Sequence, residues 1–203
     1  MGERLNQILW KRFKDGDDDA LTSLFTTYAH SLFSYGIAIV ADEALVKDSI
    51  QEVFIQLINR RKELIVSEQS HVYLFKSLRN KIFEELRTSK RKQAILNSIK
   101  RDYNSQEDAI ENRIIASEEN LHIKEKIERA FETLTSRQRE AIFLRYTEAL
   151  DYDEIASLLN IDIASARTLV YRALKSVKKE IGEESFPIFF LLMKKNTSAV
   201  SCS

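Results

Sequence analysis

DYDEIASLLNIDIASARTLVYRALKSVKK, residues 151–179, reads as two helices joined by a tight turn. In the first, Ile155, Ala156, Leu158 and Leu159 recur at helical spacing and face inward, and Ala156 is small enough to let another helix cross closely. Asn160-Ile161-Asp162 makes the turn: asparagine tolerates the left-handed conformation that ends a helix, and aspartate caps the helix that follows. The second helix buries Ala166, Val170 and Leu174 while exposing Ser165, Arg167, Thr168, Tyr171, Arg172 and Lys175. This is a helix-turn-helix, and its second helix begins with small polar residues suited to base edges in a DNA major groove. Another short helical hairpin would share the periodicity.

Upstream, Thr135-Ser-Arg-Gln138 and Asp151-Tyr-Asp-Glu154 each place a capping residue three before Gln or Glu, the signature of a helix start. Ile127, Phe131 and Leu134 share one face of a periodic block that begins near Leu121. From Arg101 to Glu119 the pattern degrades into a run of Asp and Glu opposed only by Arg101 and Arg113, which reads as an acidic linker. Before it, three amphipathic helices are expected, with a shorter one in front around Leu5 to Phe13. Leu21, Leu24, Phe25, Tyr28, Leu32, Tyr35 and Ile39 line the first, capped by the Asp17–Asp19 cluster. Asp42 caps the second, whose stripe is Leu45, Ile50, Val53, Phe54, Leu57 and Ile58. Leu74, Phe75, Leu78, Ile82 and Leu86 line the third, after a polar break from Arg60 to Ser70. Together they can close one bundle.

Composition agrees. The 203 residues allow one large domain or two small ones, and there are only four glycines and one proline, with no glycine between Gly36 and Gly182. Sheets and barrels turn on Gly and Pro, so the expected fold is all-α: two helical domains joined by a linker. The same gap excludes a Walker loop or dinucleotide fingerprint in that stretch. Cys202 is the only cysteine, and His30, His71 and His122 lack ligand spacing, so no metal site and no cofactor are expected. No nucleophile, base and orienter can be placed together, which leaves an enzyme reading without support. The N-terminus lacks the apolar core of a signal peptide, and FPIFFLLM, Phe186 to Met193, is far too short to span a bilayer. A cytoplasmic protein without membrane insertion is expected, with that apolar run as a docking segment or a tail folded onto its own domain.

Lys+Arg and Asp+Glu both total 31, but the charge is unevenly placed. Between Lys76 and Lys92 seven basic residues face only Glu84 and Glu85, and from Ile163 to Lys179 five basic residues face no acid at all. Two basic helices separated by an acidic linker look like two footprints on a polyanion, although either run alone would pass as a solvated face.

Against this background LTSRQREAIFLRYTEALDYDEIASLLNIDIASARTLVYRALKSVKK, residues 134–179, resembles the C-terminal promoter-reading domain of extracytoplasmic-function sigma factors of the sigma-70 family. DSIQEVFIQL, Asp48 to Leu57, is similar to the family's core-binding helix, and YLFKSLRNKIFEELRTSKR, Tyr73 to Arg91, to its promoter-melting helix. The wording of YLFKSLRN is nearest to the iron-citrate-type branch, which pairs with membrane-anchored anti-sigma factors. The resemblance implies a region 2-like helical bundle over residues 1–95, a linker over 96–120, a region 4-like helix-turn-helix domain over 121–182 and an apolar tail over 183–203. It implies an alternative sigma factor, non-enzymatic, that binds the β′ clamp helices and β flap of core RNA polymerase, directs it to promoters and assists melting. An anti-sigma factor or other recruiting partner is implied as well.

Residue by residue, the resemblance puts polymerase docking on Asp48, Gln51, Glu52, Phe54 and Ile55, a mixed polar and apolar face at helical spacing. Melting falls to Arg79, Asn80, Lys81, Arg87, Lys90 and Arg91: the cations neutralise phosphates, and Asn80 has a donor and an acceptor with which to wedge against an unstacked base. Tyr73 and Phe75 lie near that surface, Phe75 more as core than as a stacking platform. The loop from Arg60 to His71 corresponds to where the family captures a flipped base of the minus-ten element, since the base must leave its stack. Upstream reading falls to Ser165, Arg167, Thr168, Arg172 and Lys175. Two departures stand out: Leu169 replaces a common polar residue, which weakens or alters minus-thirty-five readout, and Asn160 replaces a usual turn glycine. Two rival readings remain: a stand-alone helix-turn-helix regulator with a sensing or dimerising N-terminal bundle, and a helical adaptor without DNA contact.

Overall fold

The structure is a computed structural model; it describes residues 2–67, 70–99, 126–127 and 129–191, with side chains given from Asn6 onward and as far as Ser89 in the fourth helix. The chain divides into two compact units, Met1–Glu111 and Asn112–Ser203. All regular elements among the described residues are helical.

The N-terminal unit is built from α1 (Gly2–Lys14), α2 (Asp18–Ile39), α3 (Glu43–Asn59), a single 3-10 turn (Arg61–Glu63) and α4 (Ser70–Ile99). Asp17 caps α2, its carboxylate accepting from the amides of Asp19 and Ala20, and Asp42 caps α3 by accepting from the amide of Leu45. These are the two caps the acidic residues foretell, each answering amides a helix start leaves without partners. α2 buries Leu24, Tyr28, Leu32 and Tyr35 along one stripe; α3 and α4 close over it with Val53, Leu57, Leu78 and Ile82. Phe75 is in this core, edge-on to Tyr35 at 5.4 Å. At the other end Trp10 and Phe13 of α1 are buried, and Tyr28 donates to Asn6 at 2.8 Å.

Some expected core positions move by one residue. Val46 is buried where Leu45 is half-buried, because a Cβ at Gly36 of α2 would lie 2.5 Å from Val46 Cγ1, so the two helices touch through that pair. Phe25 and Ile58 are exposed at the edges of their stripes, and Ile39 at the end of α2 and Leu86 on α4 are only half-buried. α4 runs past residue 95 to Ile99; the rest of the expected linker, residues 100–120, lies outside the described residues, as do Leu121 and His122.

The C-terminal unit opens with helical residues around 129–132 and continues through α5 (Ser136–Ile142), a π turn (Phe143–Thr147), α6 (Tyr152–Leu159) and α7 (Ile163–Ile181). Its core joins Ile127, Leu134 and Ile142 to Ala173, Val177 and Ile181 of α7. Ala173 takes the buried position expected of Leu174, which is half-buried against the same cluster. For the apolar tail, the structure matches the second of the two expectations, a segment folded onto its own domain. Residues 186–191 form a helical turn that packs onto the unit's own core: Phe189 is buried, 5.8 Å from Phe131, while Phe190 meets Tyr146 edge-on at 4.9 Å. A phenylalanine cluster gains more by closing the domain's open face than by waiting in water for a partner. Residues 192–203, with Met193, lie outside the described residues. Among the described residues no helix is long and apolar enough to cross a membrane.

Candidate nucleic-acid interface and docking face

The helix-turn-helix is set by its caps. Asp151 and Glu154 form a reciprocal capping box at the start of α6, and Thr135 and Gln138 form another at the start of α5. α6 ends where Asn160 adopts φ 53° and ψ 54°, and Ala156 O accepts from the amides of both Asn160 and Ile161. Asparagine thus holds the left-handed position that a glycine would otherwise take. Asp162 then caps α7, accepting from the Ser165 amide at 2.7 Å and from the Ser165 hydroxyl at 2.7 Å. Those two bonds hold the Asp162 carboxyl below its ordinary range.

Arg167, Thr168, Arg172 and Lys175 all stand exposed on α7, and Ser165 opens the same helix. The hydroxyl protons of Ser165 and Thr168 are used locally, on Asp162 and on Ala164 O at 2.9 Å, so toward a ligand these side chains act as acceptors. Leu169 is half-buried at the margin of the face. Two exposed residues that the sequence reading did not place in a site join it: Ile163 at the start of α7 and Tyr171 between Thr168 and Arg172. A third, Tyr152, comes from α6: Arg145 lies 4.9 Å and Arg167 5.5 Å from its ring centroid. Arg145 is anchored by donating to Leu150 O at 2.8 Å. Ile163 and Tyr171 stand four residues either side of Arg167 on the same helix, so helical spacing reaches them, whereas Tyr152 is brought in from another helix by tertiary proximity alone.

In the N-terminal unit Asp48, Gln51, Glu52 and Ile55 share an exposed face of α3, spaced by three and four residues. Phe54 does not belong to it: at 6% exposure it is core, edge-on to Phe25 at 5.0 Å, whereas Ile55 is 53% exposed. The buried stripe read from periodicity already held Phe54 and not Ile55; the family resemblance is what put both on the docking face, and the structure sides with the stripe.

On α4, Asn80 and Arg87 are exposed, and the Arg79 guanidinium rests 4.8 Å from the Phe83 ring centroid. Lys81 differs from expectation. Its side chain is only 19% exposed and its ammonium lies 3.0 Å from Glu85, 3.7 Å from Glu52 and 4.0 Å from Glu84. The hydrogen bond to Glu85 raises its pKa. Lys81 therefore ties α4 to Glu52 of α3, and three carboxylates compete with any phosphate for it. The side chains of Lys90 and Arg91 lie outside the described residues.

A cavity of about 340 Å³ opens beside the loop between α3 and α4, lined by Trp10, Tyr73, Arg60, Leu64, Ile65 and Val66 among others. Ile65, at its rim, is 89% exposed. The Trp10 Nε1–H is buried and meets no acceptor among the described residues. Among the described residues no group of three His, Cys, Asp or Glu side chains converges as a metal site requires.

Comparison with known proteins fits this geometry. Residues 124–177 match the family model described as Sigma-70, region 4. Over 195 residues the chain is 25% identical to the ECF RNA polymerase sigma-E factor of Escherichia coli, an alignment that covers 89% of this chain and 97% of that protein. It is 21% identical over 178 residues to the ECF RNA polymerase sigma factor BldN of Streptomyces coelicolor, covering 87% of this chain and 66% of that one. Among solved structures the fold resembles the sigma factor RpoE of Bartonella quintana, solved in complex with the anti-sigma factor NepR, at a TM-score of 0.60 and 18% identity over 81% of this chain and 96% of that one. It also resembles CnrH, solved with the cytosolic domain of CnrY, at a TM-score of 0.58 and 16% identity, covering 85% and 94% of the two chains.

Proposed function

We infer that this chain is an extracytoplasmic-function sigma factor of the sigma-70 family: a non-enzymatic subunit that binds core RNA polymerase and directs it to promoter DNA in transcription initiation. The observation that carries this reading is the alignment along 97% of the length of the Escherichia coli sigma-E factor, joined to a helix-turn-helix whose exposed face is basic. A stand-alone regulator is the weaker reading, because it has no use for a second, basic helix such as α4 in the other unit.

In this role, polymerisation chemistry belongs to the core enzyme and the chain supplies positions and charges. Asp48, Gln51, Glu52 and Ile55 form the polymerase docking face, acidic groups around an apolar contact. Arg79 and Arg87 hold backbone phosphates near the start site while Asn80 meets an unstacked base, and the cavity beside residues 60–67 receives a base that has left its stack. Arg167, Arg172 and Lys175 position the upstream duplex; with Leu169 at the margin of that face, the helix contributes more to positioning than to base selection. Promoter choice then leans on the N-terminal unit or on a recruiting partner. The complex solved for RpoE with the anti-sigma factor NepR supports an anti-sigma factor as a further partner. Assignment to the iron-citrate-type branch rests on the wording of YLFKSLRN. A cytoplasmic location follows from the work itself, since the polymerase and the promoter are there.

Transcription reconstituted with core polymerase tests the reading. The chain should give promoter-dependent transcripts only when core is present, and charge reversal at both Asp48 and Glu52 should abolish core binding with the helical content intact. Asn80→Ala should reduce permanganate reactivity of promoter thymines more than it reduces closed-complex binding. Duplex-specific binding without core, unaffected by the Asp48 and Glu52 reversals, would favour the stand-alone regulator.

A further inference from the structure

We propose that Tyr152, at the start of α6, is a positioning residue for DNA binding: its ring, held by Arg145, fixes the guanidinium of Arg167 on the recognition face of α7. The inference rests on the reading of α7 as the helix that meets promoter DNA, and extends the determinants of that contact to residues outside the helix.

The geometry is built from the backbone outward. The capping box of Asp151 and Glu154 sets the first turn of α6, and Tyr152 is the first residue of that helix. Arg145 comes from the π turn, where its bond to Leu150 O at 2.8 Å leaves the guanidinium 4.9 Å from the Tyr152 ring centroid. Arg167 reaches the same ring from α7, at 5.5 Å. Arg145 and Tyr152 are half-buried, whereas Arg167 is exposed. The Asp151 carboxylate adds negative charge in the field of Arg145: Asp153 and the Glu154 amide, followed by Arg145, hold its pKa low.

The physical consequence is preorganisation. An arginine on an exposed helix face samples many rotamers, and binding a phosphate must select among them. The negative face of an aromatic ring attracts a guanidinium and narrows that sampling before DNA arrives. Arg145 and Leu150 keep the ring itself from turning away. A tyrosine that acts in this way should matter to DNA affinity only while Arg167 is present.

The experiment uses holoenzyme reconstituted from the full chain and core polymerase, with closed-complex affinity measured on a promoter duplex at fixed salt. Tyr152→Phe keeps the ring and should bind like the parent. Tyr152→Leu should bind about two- to tenfold more weakly, the range of a partly exposed cation–π contact. In an Arg167→Ala background the same Tyr152→Leu change should add no further loss. As a variant that preserves the fold, a phenylalanine at position 152 with increasing ring fluorination weakens the ring's negative face at nearly constant shape; affinity should fall stepwise, again only with Arg167 present. A flat fluorine series, or a Tyr152→Leu loss of equal size with and without Arg167, overturns the positioning role and leaves the reading of α7 standing. If Arg167→Ala itself costs no affinity, both fall together.

Discussion

Ala149 carries a φ of 56° just before the start of α6, and it is exposed. A Cβ in the left-handed region crowds the following carbonyl, at a cost of about 1 kcal/mol, and nothing packs on the alanine to offset it. Ala149→Gly should therefore stabilise the C-terminal unit by about 0.5 kcal/mol, after the extra freedom glycine adds to the unfolded chain is deducted, read as a higher denaturation midpoint. Gly36 is the opposite case. Its backbone is an ordinary helix, but an added Cβ would sit 2.5 and 2.9 Å from the two methyls of Val46. Val46 is buried and β-branched and has no flexible end to move aside. Gly36→Ala should cost about 1–3 kcal/mol, and Val46→Ala in the same chain should recover part of it in urea denaturation. Neither position is legible in sequence, since Gly36 lies in an apolar helical pattern and Ala149 in a polar turn.

At the scale of elements, the caps were legible because their chemistry is local. Asp17, Asp42, Thr135, Asp151 and Asp162 each accept from an amide two or three residues ahead, which a reader can count. The Asp162 carboxyl is held below its ordinary value by Ser165, so its contribution is present at neutral pH and lost as pH falls through the folded value. Asp162→Ala should lower the melting temperature at pH 7, and the gap to the parent should close on acidification below about pH 4, followed by circular dichroism. Helix faces were less legible than helix ends. Whether Lys81 meets solvent or carboxylates depends on what α3 brings alongside. A lysine in a basic run reads as a phosphate contact, and only the approach of Glu52 from a neighbouring helix turns it into a link between α3 and α4.

At the scale of the molecule, each unit has its own core, and the C-terminal one is finished by residues 186–191. Phe189→Ala should cost about 3–5 kcal/mol, because Phe189 is fully buried among Phe131, Phe186 and Phe190. Hydrogen exchange in α7 should report that loss; a segment that served only to dock a partner would leave α7 protection unchanged. The all-α fold, its helix starts, the left-handed turn at Asn160 and the basic character of α7 were determined by the sequence alone, through capping, periodicity and the scarcity of glycine. The destination of the phenylalanine tail, the ring of Tyr152 beneath Arg167, the ion pairs of Lys81 and the cavity beside Trp10 were decided only in the tertiary structure. Helical signals act over three or four residues and can be counted along a chain, whereas burial and charge pairing depend on which distant side chains share a volume.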